Sequence, residues 1–449
     1  MATRQRAVAA AGLAGVLLAT ASCASQDEPG EDEGSGTTLR IATVENRDLV
    51  RLRELSQAYT SEHPGVTLEW DTLEEGRLRQ QVMTDIATQG GRYDIVTIGT
   101  YEAPIWAERE WLRPLDALPA DYAEDDLLPT VREALSHDGT LYAAPFYGES
   151  AITMYRTDLF EQAGLTMPDS PTWDDIAGAA ERLDQGDVNG ICLRGRPGWG
   201  ENVALLTAMA NAEGGRWFTE DWTPDLRTGA WTTALQRYAD LLTEHGPDDA
   251  TSLGYTDVLS LFQEGRCAIW VDASVAGSAL VDPQSSQVAD SVGFALAPDA
   301  GQSVRSSWLW SWALAVPESS DDAGPAQEFV TWATSTEYTD LVARSDGWAN
   351  VPPGTRTSLY ENEEYREAAP FADATFASIE ESDPEQPTTQ PVPYTGIQYV
   401  SIPSFPSIGT AVGNRVAAVL DGSVTVEQAL EDAQWVTEKV IAQSERTED

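Results

Sequence analysis

The pattern that most constrains this chain lies in residues 39–102. A β-branched run at 39–44 reads as a buried strand and ends at Glu45, Asn46, Arg47 and Asp48. Leu49, Leu52, Leu55, Ala58 and Tyr59 then recur at helical spacing, with Asp48 as the expected N-cap, until His63, Pro64 and Gly65 stop the helix. A second strand at 66–70 leads through Leu73, Glu74 and Glu75 into a helix carrying Leu78, Val82 and Ile86. A third strand at 93–98 ends at Gly99, Thr100, Tyr101 and Glu102. This β-α-β-α-β order predicts an α/β fold with a parallel, doubly wound sheet. Such sheets bind ligands beyond the carboxyl ends of their strands, where strand order reverses. Asn46, Glu75 and Tyr101 stand at such ends. Helix capping explains any one of them, but three at matching topological positions point to a cleft.

The stretch 141–155, LYAAPFYGESAITMY, predicts two strands broken near Pro145 and Gly148, with Tyr147 and Glu149 at the break. The alternation then restarts. Asp158 opens a helix, and Thr172 to Asp175 resembles a capping box before a helix at 176–183. A strand at 191–193 precedes a glycine-rich loop, 195–202, that presents Trp199 and Glu201. A helix at 231–244 is followed by a strand at 267–271 that ends in Asp272. In the strand 308–316, Trp308, Trp310 and Trp312 alternate and share one face. A helix is expected from 325 to 344, with Trp348 and Asn350 in the Pro/Gly cluster beyond it, and helices at 409–420 and 425–442 close the chain.

The first residues read as a leader. Arg4 and Arg6 precede an apolar run at 7–19, too short to span a bilayer permanently. Thr20, Ala21 and Ser22 then lead to Cys23 in a pattern resembling a bacterial lipobox. The expectation is a signal peptide at 1–22 with lipid on Cys23; a plain secretory cut is the alternative. Residues 23–37, acidic and then rich in Gly, Ser and Thr, read as a flexible tether. The remaining length exceeds one compact core and implies two or three domains. A net charge of −46 excludes a nucleic-acid partner, whose phosphates require a basic footprint. Cys192 and Cys267 are either small buried hydrophobes or a disulfide, and an even pair in an oxidising compartment favours the disulfide.

Catalytic and metal-binding patterns are poorly supplied. His63, His137 and His245 lie far apart, no P-loop lysine exists, and residues 148–152 lack the second glycine of a nucleophile elbow. A calcium loop aligned on Gly190 would need carboxylates where Gln185 and Arg196 stand. No metal and no cofactor are expected. Carboxylates alone leave a two-carboxylate glycosidase open. Carboxylates spread over many strand ends and mixed with tryptophan better suit a hydroxyl-rich ligand, whose C–H face an aromatic ring covers.

Several stretches resemble the extracellular solute-binding proteins of ABC transporters, in the group that contains maltose-binding proteins. They are TLEE at 72–75, TIGTYEAPIW at 97–106, YAAPFYGES at 142–150, GICLRG at 190–195, GWGEN at 198–202, WANVPPGTRTSLYEN at 348–362 and PVPYTG at 391–396. Within that group they look closest to the sorbitol/mannitol-binding subfamily. The resemblance implies a two-lobed, type II periplasmic-binding-protein-like fold, each lobe a mostly parallel sheet flanked by helices. The implied lobes are 38–145 with 305–350, and 146–304 with 351–449, joined by hinge crossings near 145–148 and 351–354. It also implies a cleft lined by Asn46, Glu75, Tyr101, Tyr147, Glu149, Trp199, Glu201, Asp272, Trp308, Trp310, Trp348 and Asn350. Glu149, Asp272 and Trp199 stand foremost, and either Glu45 or Asn46 faces inward. The implied protein is a monomer held by lipid at the outer face of the cell membrane. It captures a linear polyol by lobe closure and passes it to a membrane permease without doing chemistry. A sugar-binding protein and an extracellular glycoside hydrolase are the rival readings.

Overall fold

A computed structural model describes residues 36–302 and 304–444. The leader, Cys23 and most of the tether fall outside the described residues. Ten strands are seen among the described residues: β1 (Thr37–Val44), β2 (Val66–Leu73), β3 (Ile95–Gly99), β4 (Ser136–His137), β5 (Thr140–Leu141), β6 (Ala144–Glu149), β7 (Ala151–Arg156), β8 (Ile269–Ala273), β9 (Val292–Leu296) and β10 (Trp310–Ala315). Thr37, expected in the tether, already belongs to β1, and its amide donates to the Gly65 carbonyl.

The first sheet has the order β2-β1-β3-β10-β6. β1 is parallel to β2 and β3, whereas β10 runs antiparallel to β3 and β6. β3 is buried along its whole length, as a central strand covered on both faces must be. The helix Glu75–Ala87 turns Leu78, Val82 and Ile86 inward, as its spacing predicts. The second sheet, β8-β7-β9, departs from the mostly parallel expectation, because β7 is antiparallel to both neighbours. The reversed strand in each sheet, β10 or β7, is the one that receives the chain from the other half. The segment expected as a strand at 191–193 makes only a single parallel bridge, Cys192 to Trp270, alongside β8. There Cys192 and Cys267 are joined by a disulfide.

The chain crosses between sheets at Ser150, not at 145–146. β6 runs through Pro145 to Glu149 in register with β10, and β7 begins one residue after Ser150. Ser150 is fully buried; its carbonyl accepts from Ser274 N at 2.8 Å and its hydroxyl from Trp308 N at 3.3 Å. The return from β9 to β10 passes beside it. A third strand of chain, at 351–354, lies against β6, where the Gly148 amide donates to the Pro353 carbonyl at 2.8 Å. Gly148 and Gly354 meet back to back here. A Cβ on Gly354, whose φ is +71°, would fall 2.0 Å from the Gly148 oxygen.

Two local expectations differ. Asn46, not Asp48, caps the first helix, Arg47–Leu55; its extended backbone lets Oδ1 accept from Leu49 N at 2.9 Å, while Asp48 pairs with Arg51 one turn on. The helix expected from 325 to 344 is two, Ala323–Ala333 and Thr336–Asp346. Thr334 bonds back to the Val330 carbonyl and Ser335 caps the second helix, so hydroxyls compete with the helical ladder.

The disulfide spans a separation of 75 residues. Replacing both cysteines by alanine is expected to lower unfolding free energy by about 4 kcal/mol, from loop-closure entropy restored to the unfolded chain. Urea melts of the two proteins measure this, and equal midpoints would show that the bridge constrains nothing.

Candidate functional site

A cavity of about 1090 Å3 lies between the two sheets. The ends of β1, β2 and β6 and the start of β10 open onto it from the first half, and the 194–201 segment and Tyr255 from the second. For β1, β2 and β6 these are the carboxyl ends of the strands, and the reversed β10 starts beside them, where sheets of this kind take ligands.

From the first half, Glu45 and Asn46 both line the cavity. The Asn46 side chain is largely committed, with Oδ1 capping the helix and Nδ2 donating to the Tyr147 hydroxyl at 3.1 Å. The Tyr147 proton is thereby left for the cavity, and burial raises its pKa, keeping the phenol neutral. Glu149 faces Trp310 across the β6/β10 ladder and is 7% exposed. Its carboxyl has no hydrogen-bond partner among the described residues. Burial pushes its pKa up to about 8; Arg194 opposes this, and Asp272 and Glu75 add to it.

Glu75 also lines the cavity and holds Arg79 at 2.9 Å, while Glu102 takes the other side of the same guanidinium. Arg79 lies over Trp199 at 4.6 Å, Trp312 at 4.9 Å and Trp310 at 5.0 Å. Trp199 and Trp310, two indoles expected to cover a ligand, therefore pack first against a protein cation. Trp308 lines the cavity outside this box, and Asn350 lines it near Arg51, whose Nη2 donates to Asn350 Oδ1 at 3.0 Å.

In the second half, Asn202 shapes the glycine-rich loop. Its Oδ1 accepts from Gly198 N at 3.3 Å, and its Nδ2 donates to the Gly413 carbonyl at 3.0 Å. Gly409 lets Trp199 approach; a Cβ there would sit 2.5 Å from the Trp199 Cβ. Glu201 lies 3.9 Å from Arg194 and 3.6 Å from Arg196, and its buried Oε2 has no hydrogen bond among the described residues. Burial pushes its pKa up to about 7, against the pull of Arg194.

Three expected residues lie outside the cavity wall. Tyr101 donates its hydroxyl to the Ile402 carbonyl at 2.8 Å and supports Trp199, 5.2 Å away between ring centroids. Trp348 is half-buried in a short turn, Trp348–Asn350. Asp272 is 2% exposed beneath Arg194, which it grips through Nε and Nη2. Arg79, Arg194 and Tyr255 line the cavity and were missed. A signal existed, because several buried carboxylates around one space require cations among them.

The Bacterial extracellular solute-binding protein model matches residues 47–340. The mannitol-binding protein of Pseudomonas aeruginosa is 54% identical over 402 residues, 89% of this chain and 92% of that protein. An ABC transporter solute-binding protein from Agrobacterium vitis S4, solved with bound D-mannitol, superposes with a TM-score of 0.89 at 54% identity, covering 91% of this chain and 99% of that one. A maltose-bound protein from T. maritima, at 19% identity and TM-score 0.78 over 90% of this chain and 99% of that one, shares the two-lobed type II fold. These relatives are solute binders rather than enzymes, which removes the hydrolase reading. A model match over more than half the sequence, and identity of this extent, place the chain in the bacterial extracellular solute-binding protein family.

Proposed function

We propose that this protein captures a linear polyol of the mannitol or sorbitol type and hands it to the membrane subunits of an ABC importer. The observation that carries the reading is the 54% identity, over 89% of the chain, to a mannitol-binding protein. The cavity chemistry supports it. Glu149, held neutral at pH 7 by burial, both donates to and accepts from hydroxyls, as does the Tyr147 phenol. Trp308 offers an apolar surface for the carbon chain. The lobes, 38–149 with 305–350 and the remainder, close on the ligand. Arg47 and Asp282, from opposite lobes at the cavity edge, pair at 2.5 Å and fit a contact of the closed form. A second reading, capture of a monosaccharide or oligosaccharide, is favoured by the volume, which lies at the upper end for small-molecule sites.

A thermal-shift panel separates the two. Mannitol or sorbitol at 100 times its dissociation constant should add about 2.7 kcal/mol of stability. Hexoses or maltodextrins that raise the melt while hexitols leave it unchanged overturn the polyol reading.

Glu149 gives a pH signature. Its pKa rises on folding, from 4.5 to about 8. The group therefore favours the fold below its unfolded pKa, and that advantage is lost as pH climbs through the folded value. Calorimetry should find Glu149→Gln melting with the parent protein near pH 4.5 and several degrees above it beyond pH 8. A constant difference across that range contradicts the assignment.

Attachment through Cys23 completes the reading, with the chain before it removed and lipid on its thiol. Cells fed labelled palmitate should label the parent chain and not Cys23→Ser, and equal labelling of both refutes the anchor.

A further inference from the structure

The pairing of Arg194 with Asp272 divides labour in the cavity in a way that the strand-end pattern conceals. Asp272 accepts from Trp270 Nε1 at 3.0 Å, from Ala273 N at 2.6 Å, and from Arg194 through Nε at 2.9 Å and Nη2 at 2.5 Å. A carboxylate offers about four acceptor sites, so none remains for a ligand. Arg194 is in the opposite condition. Of its five N–H groups, Nε and one on Nη2 serve Asp272, and one on Nη1 donates to the Gly200 carbonyl at 2.9 Å. One N–H on each Nη has no hydrogen-bond acceptor among the described residues, and the side chain lines the cavity. The rest of the residue is fixed. Its carbonyl accepts from the Tyr238 hydroxyl, and its guanidinium lies 4.9 Å from the Tyr255 ring and 6.0 Å from Trp308. A buried ion pair contributes little net stability compared with apolar packing. Its presence at the cavity wall asks for another reason.

We propose that Arg194 binds the ligand, donating its two unused N–H groups to neighbouring hydroxyl oxygens of the polyol, and that Asp272 is a positioning residue that holds Arg194 and does not touch the ligand. The guanidinium fork suits two acceptors on adjacent carbons, and a flexible ammonium would not hold that geometry. Because Nη1 also holds Gly200, the same group sets the loop that carries Trp199 and Glu201. This assignment rests on the polyol reading above.

Calorimetric titration of the full chain with D-mannitol and its 1-, 2- and 3-deoxy analogues tests it. Arg194→Gln and Asp272→Asn should each weaken mannitol by roughly tenfold to a hundredfold. The loss should shrink for an analogue lacking either of the two hydroxyls that Arg194 contacts, and stay full for the others. In the Arg194→Gln background, Asp272→Asn should cost no further affinity. The double variant also removes both buried charges together, so it folds where a single substitution leaves one stranded. Arg194→Lys, which keeps the ion pair, should fold like the parent and still lose that hydroxyl dependence. A merely structural role would lower the melting temperature and weaken every analogue equally, which overturns the proposal. An equal cost of Asp272→Asn in both backgrounds also overturns it, because Asp272 would then touch ligand. Unchanged mannitol affinity in both single variants defeats this assignment while leaving the polyol reading intact. Failure of the parent protein to bind any polyol defeats both.

Discussion

The unbroken run of chain from β6 through Ser150 into β7 fixes where the rest of the molecule can lie. One residue separates two ladders, so the sheets cannot move far apart, and both ends of the crossing must face the space between them. Glu149 is the last residue of one ladder, and Asp272 stands opposite Ile152 near the start of the other. Ser150 makes the junction tolerable by satisfying its backbone and hydroxyl internally. The reversal of β7 follows directly: a strand entering from the neighbouring sheet runs against those reached through helical crossovers. β10, entered the same way in the other direction, is reversed for the same reason. The cavity is the gap that these two entries leave.

Charge then decides how the gap is furnished. Glu149 and Glu201 point into low-dielectric surroundings, where an isolated carboxylate is costly, and the partly exposed Glu75 stands beside them. Two solutions coexist. Glu75 is met by Arg79, which is itself boxed by indoles. Glu149 and Glu201 are left with weak partners, and burial pushes their protons on at higher pH. The result is a wall that mixes ionised and neutral groups, with hydrogen-bond donors and acceptors in close alternation.

Much of this architecture is legible in the sequence because it is local. The strands near 39–44 and 66–70 are rich in β-branched residues, and the face of Leu78, Val82 and Ile86 follows from a 3.6-residue period. What escaped was decided at a distance. Whether Asn46 or Asp48 caps the first helix depends on Arg51 and Tyr147 drawing their side chains apart. The segment at 191–193 looks like a strand, yet it lies beside β8 through one bridge and a disulfide. Nine of the twelve cleft residues line the cavity because strand ends are predictable from topology. Asp272 does not, because which carboxylate shows its oxygens and which hides them under an arginine is set by residues 78 positions apart. The cations were missed for the same reason, since an arginine announces its partner only in three dimensions.

The balance of those cations also argues for the kind of ligand. Five arginines border the cavity: Arg47, Arg51, Arg79, Arg194 and Arg196. Each is already paired with a carboxylate of the protein. Nine acidic residues share the same wall, and seven remain even if Glu149 and Glu201 carry protons. A sugar acid or a phosphate would enter a space of net negative charge in which every cation is already neutralised by a carboxylate of the protein. A neutral polyol meets no such penalty. It needs only hydrogen bonds, and the wall offers them in both senses: N–H groups from Arg194, O–H from Tyr147 and protonated Glu149, and acceptor oxygens from Glu75 and Glu201. The same pairs that neutralise the buried carboxylates thus favour the neutral polyol proposed above over an anion.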